Sequence, residues 1–189
     1  MKKALFICGF LMLVMSSFSQ KEVEFFLQSN GSFLTADSSD YVVVPFEGKT
    51  ASELYSMVKS NAMSLYRDPK EVMSEDENVA IKICELKNLD WKEGCIYAYY
   101  DYYGDCSFLF QFKDGKIKVD APSVSNQVYD KESKSYKSFY FHVRSLFTRE
   151  GTVKPRKLKH KLRIEDSINY PINYLLGFYQ KNTDKDNNW

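Results

Sequence analysis

Between residues 106 and 121 apolar and polar side chains alternate on both sides of Asp114-Gly115. Counting outward from a two-residue loop pairs Lys113 with Lys116, Phe112 with Ile117, Phe110 with Val119 and Phe108 with Ala121. The six apolar residues then share one face, and Gln111, Lys113, Lys116, Lys118 and Asp120 share the other. A one-residue slip would set phenylalanines opposite lysines, so the register is strongly specified. The pattern predicts a half-buried antiparallel hairpin with a type I′ turn.

The rest of the chain follows from similar signals. Asn30-Gly31 lies between residues 23–28 and 33–35 and marks a second hairpin. Tyr41-Val-Val-Val-Pro-Phe46 reads as a strand. Thr50-Ala-Ser-Glu53 fits a capping box, and Ala51, Leu54, Tyr55, Val58, Ala62, Leu65 and Tyr66 then keep helical spacing. Asp68-Pro69 is expected to end that helix, since a residue before proline avoids the α region. Val79, Ile81 and Ile83 alternate as a strand does. Cys95 to Tyr103 is rich in tyrosine and β-prone, and Gly104-Asp105 reads as a turn. Residues 123–138 read as polar loop, and Phe139–Val143 fits strand or helix equally. Ile168, Ile172, Leu175, Leu176 and Tyr179 form the stripe of a last helix, with Pro171 expected in its first turn. The tail 183–189 is polar.

The ends add a compartment. Lys2 and Lys3 precede the apolar stretch Ala4–Met15, and Ser17 and Ser19 are small residues before Gln20. This is the pattern of a cleavable secretory signal over residues 1–19, too short to span a bilayer. Residues 20–182 then form one α+β domain of ordinary size. The expected location is exported: periplasmic, associated with the cell envelope, or extracellular. No second apolar run predicts a membrane span. Cys84, Cys95 and Cys106 remain after cleavage, an odd number that allows at most one disulfide among them. Charge is balanced overall but not along the chain: the net is −8 over residues 21–130 and +7 over residues 131–189.

Val42-Val-Val-Pro-Phe-Glu-Gly48, Thr50 with Glu53-Leu54-Tyr55, and Lys113-Asp-Gly-Lys116 resemble the strand, helix opening and hairpin of an exported bacterial family, domain-of-unknown-function family 4468, described as having a TATA-binding-protein-like fold. The resemblance covers roughly residues 35–125, with 126–182 as a basic extension and helix. It implies a curved antiparallel sheet backed by helices, in the order β-α-β-β-β-β with a C-terminal helix, and an envelope location. It implies no activity. Asp68-Pro69 and the cysteines depart from the family's pattern. An exported protein has no expected nucleic-acid partner.

Chemistry is sparse. Gly48-Lys49-Thr50 ends like a phosphate loop, but the first glycine such a loop needs is replaced by Val43, inside a strand. Ser56-Met-Val-Lys59 matches S-x-x-K without its partner motifs. His142 and His160 are the two histidines, and neither has metal-ligand spacing. Asp101 and Asp105 flank the expected turn, where aspartates serve the backbone. Asp184 and Asp186 lack the glycine and glutamate of a calcium loop. No catalytic, metal or cofactor residue is assigned.

Two surfaces remain. As a strand, Lys157, Lys159, Lys161 and Arg163 would line one face, with Leu158 and Leu162 on the other. Such a stripe suits an acidic polysaccharide, anionic lipid or acidic protein, or serves only to keep an edge strand from pairing. Tyr97, Tyr99 and Tyr103, with Tyr100 and Tyr102 between, offer an aromatic surface that can stack on sugar rings, or serve as cross-strand packing pairs. The expectation is a non-catalytic binding module whose partner is an envelope protein or acidic polymer. A hydrolase of an envelope polymer is the alternative, and a structural subunit the third reading.

Overall fold

The computed structural model describes residues 21–95, 98–130 and 134–179, and their side chains except at 90–95, 98–102, 126 and 141. A short hairpin comes first, β1 (Phe26–Leu27) against β2 (Phe33–Leu34), closed through Gly31 at φ 84°. The strands that follow build one seven-stranded antiparallel sheet. They are β3 (Tyr41–Pro45), β4 (Met73–Asp76), β5 (Ala80–Cys95), β6 (Ala98–Lys113), β7 (Lys116–Asp120), β8 (Ser123–Asp130) and β9 (Ser135–Ser138). Their order is β3-β7-β6-β5-β4, and β8 pairs with the first half of β6 and carries β9 on its far side.

The alternation of β6 and β7 has the register read from sequence: Phe112 opposes Ile117, and Phe110 opposes Val119. These four and Phe108 are almost wholly buried. The turn differs. Gly115 has φ 76°, but Asp114 does not join it at positive φ, so the turn is not type I′. The approach to the first helix sets it instead. Asp114 Oδ1 accepts from the amide of Ala51 at 2.8 Å, Gly115 N donates to Lys49 O, and Gly115 O accepts from Phe46 N. The hairpin tip and the helix entry are one hydrogen-bonded unit.

That helix, α1 (Ala51–Leu65), opens on the capping box: Thr50 Oγ1 accepts from Glu53 N, and Glu53 Oε2 accepts from Thr50 N. It ends at Tyr66, earlier than the proline requires. Pro69 starts a further short helix, α2 (Pro69–Val72), in the first-turn position it tolerates. The sheet then departs from the sequence reading twice. Gly104-Asp105 is not a turn; β6 runs straight through it. Residues 123–138 hold β8 and β9 rather than loop, because an edge with few apolar residues shows little alternation. Val128 is buried while its neighbour Gln127 is exposed.

Phe139–Leu146 is helical (α3). A 3₁₀ turn at Pro155–Lys157 leads into α4 (Leu158–Leu175). Pro171 is therefore deep inside α4, not in its first turn. Ile164 and Ile168 before it and Ile172 and Leu175 after it are all buried, which pins the helix on both sides of the missing amide. Helices α1 and α4 pack together, α4 against β5 and α1 against β6, while α3 packs against β8. The helices thus back one face of the curled sheet. Cys84 and Cys106 are free, the first exposed and the second buried on opposite faces, so they cannot bridge. The Cys95 side chain lies outside the described residues.

The N-terminal segment is held in a way the sequence did not announce. Glu165, Asn169 and Asn173 stand four apart on α4. Their oxygens accept from the amides of Leu27 (2.7 Å), Phe25 (3.0 Å) and Val23 (2.8 Å). Asn169 Nδ2 and Asn173 Nδ2 return hydrogen bonds to Phe25 O and Val23 O. Four helical residues rise about 6.0 Å, and two extended residues span about 6.6 Å. The two periods match closely enough for three consecutive rungs.

Candidate binding surfaces

The sheet face away from the helices carries the odd-numbered side chains of β6 from Tyr103 onward. Tyr103 is among them. It opposes Tyr129 on β8, which opposes Tyr136 on β9. Three tyrosines therefore stand in one row across three strands. The Tyr129 and Tyr136 rings meet edge to face with centroids 5.4 Å apart, and Tyr136 is 68 % exposed. Of the tyrosines expected from sequence, Tyr103 joins this row. Tyr97 lies outside the described residues, as does the side chain of Tyr99. Tyr129 and Tyr136 went unseen because their segment reads as loop; the signal that finds them is the pairing itself.

The basic segment is not a strand, and its face is not single. Lys157 ends the 3₁₀ turn, and Lys159, Lys161 and Arg163 occupy the first turns of α4. At about 100° per residue, alternate positions fall on nearly opposite sides, so Lys157 goes with Lys161 and Lys159 with Arg163. Lys161 is largely buried; it ion-pairs with Glu165 and lies 5.8 Å from the Phe26 ring centre. Leu158 and Leu162, separated from the lysines in a strand, come to lie among them on the helix, each 47 % exposed.

A third cluster sits under the end of α1. Tyr66 Oη donates to Glu85 Oε1 at 3.1 Å, and Lys87 Nζ stands 3.6 Å from the same carboxylate. Cys106 lies nearby on β6. Burial, then the Glu85 charge, drive the Tyr66 phenol far above its ordinary range and push the Cys106 thiol up to about 12. Both groups therefore stay protonated at neutral pH, and neither is an activated nucleophile.

The remaining motifs are accounted for by local structure. The Thr50 amide and hydroxyl are both engaged by Glu53, so a carboxylate holds the helix start where a phosphate would sit. Lys59 reaches Glu75 at 2.8 Å, away from Ser56 chemistry. His142 and His160 are half-buried on different helices. Asp105 is exposed within β6, and the Asp101 side chain lies outside the described residues. Among the described residues no three His, Cys, Asp or Glu are grouped to hold a metal, and no helix is long and apolar enough to cross a membrane.

These features define an α+β protein with a curled antiparallel sheet, helices on one face and an aromatic row on the other. Two solved structures are similar to it. One is a DUF4468 family protein from Bacteroides ovatus, at 12 % identity and a TM-score of 0.49, covering 85 % of this chain and 92 % of that one. The other is a TBP-like protein from Parabacteroides distasonis, at 12 % identity and a TM-score of 0.46, covering 73 % and 86 %. The first belongs to the family that the sequence motifs resemble. No family model and no curated protein matches the chain.

Proposed function

We propose that this is an exported envelope protein that acts by binding rather than catalysis, and that its contact surface is the sheet face opposite the helices. The observation that carries this reading is the in-register row Tyr103–Tyr129–Tyr136. Tyrosine joins a broad apolar ring to a hydroxyl, which suits a surface that must stay soluble when free and lose water when bound. Export rests on Lys2, Lys3 and the apolar residues 4–15.

The test is cross-linking of a tagged protein in intact cells, beside a variant with Tyr129→Ser and Tyr136→Ser and another with Arg156→Ser and Lys159→Ser. The tyrosine variant is expected to lose its envelope partner at least about tenfold, as hot-spot aromatics do; the basic variant is expected to retain it. A partner held equally by the tyrosine variant overturns the sheet-face reading. Release of fragments from an envelope polymer by the purified protein overturns the non-catalytic one.

A further inference from the structure

We propose that the first two turns of α4 dock the protein onto an anionic lipid surface. Residues 154–163 carry Lys154, Arg156, Lys157, Lys159, Lys161 and Arg163 with no acidic residue. Lys161 is turned inward to Glu165, while Lys154, Arg156 and Lys159 are exposed. Leu158 and Leu162, one helical turn apart, stand out of the same surface.

A single exposed leucine needs no explanation. Two leucines at i, i+4 inside a cation cluster have the pattern of a helix lying in a membrane interface, with apolar side chains below the headgroups and basic ones among the phosphates. A soluble polyanion would use the cations and leave the leucines in water. The helix cannot roll to hide them. Ile164 and Ile168 are locked in the core, and Glu165, Asn169 and Asn173 are tied to the N-terminal segment. The leucine edge is therefore fixed outward on a rigid body, and docking requires no rearrangement.

The test uses the chain without residues 1–19, the expected cleavable signal. Co-sedimentation compares vesicles of phosphatidylcholine alone with vesicles containing one quarter phosphatidylglycerol, and heparin-agarose is run in parallel. The protein is expected to sediment with the anionic vesicles, not the neutral ones, and to be released by salt. Leu158→Ser with Leu162→Ser is expected to weaken vesicle binding roughly tenfold, by loss of apolar burial, with an unchanged melting temperature and unchanged heparin retention. Arg156→Ser with Lys159→Ser is expected to weaken both. Absence of vesicle binding, equal binding to neutral vesicles, or full binding by the leucine variant overturns the proposal. In the last case heparin retention that depends on the cations assigns the patch to a soluble polyanion.

Discussion

At the scale of single residues, Gly104 shows how a glycine can be required without unusual backbone angles. A Cβ placed there would lie 3.0 Å from Val124 Cγ1, 3.2 Å from Val128 Cγ1 and 3.3 Å from Leu89 Cδ1. The two valines are stiff at χ1 and cannot swing aside cheaply. Val124 and Val128 come from the strand that crosses β6 with a register shift between Gly104 and Cys106. The glycine thus leaves room for two valines of β8 where they press on β6, which explains why a residue that looks like a turn in sequence is the middle of a strand. Gly104→Ala is expected to cost about 1–3 kcal/mol by overpacking, read as a shift of the urea midpoint. No loss of stability would mean that β8 can retreat.

At the scale of elements, what was legible is what local chemistry decides. The capping box at Thr50 and Glu53 needs only four residues, and the β6–β7 register needs only a turn and an alternation; both were readable. The turn type was not, because Asp114 answers to Ala51, sixty-three residues away. Strands β8 and β9 escaped notice because pairing, not apolar content, makes them strands. The basic segment misled through its alternation of lysine with leucine, which imitates a strand. Its helical state is set by Pro155 at the preceding turn and by the buried isoleucines after it. Two of the three tyrosines in the row, Tyr129 and Tyr136, were invisible for the same reason as β8 and β9. The rungs on α4 belong to this scale too. Asn173→Ala removes a donor and an acceptor and strands Val23 N and O in a buried site. The expected loss is about 2–3 kcal/mol, measured by equilibrium unfolding, with faster amide exchange at Val23. An unchanged exchange rate would show that the segment is held by its side chains alone.

At the scale of the whole molecule, the Cys106 thiol on β6 and the Tyr66 phenol at the end of α1 set an alkaline limit. Cys106 has an ordinary value of 9.0 and is raised to about 12 in the fold, and Tyr66 is raised as well. Between those values the folded protein keeps protons that the unfolded chain has released. The sign follows: stability is fully present below about pH 9 and declines as pH rises toward 12. Urea midpoints taken from pH 8 to 11.5 are expected to fall, and Cys106→Ala to make the fall shallower. A flat profile would mean that water reaches the thiol in the folded state.

The rungs between residues 23–27 and α4 also fix a sequence of events. The first described segment of the chain finds its hydrogen-bond partners some 150 residues later. While the chain is still emerging from the ribosome, Val23, Phe25 and Leu27 have nowhere to go, and they stay available to whatever handles a nascent polypeptide. Only release of α4 lets these rungs form, and the two ends of the described part meet beside them: Tyr179 Oη donates to Glu22 Oε2 at 2.8 Å. Whatever forms earlier, these rungs are completed only by α4.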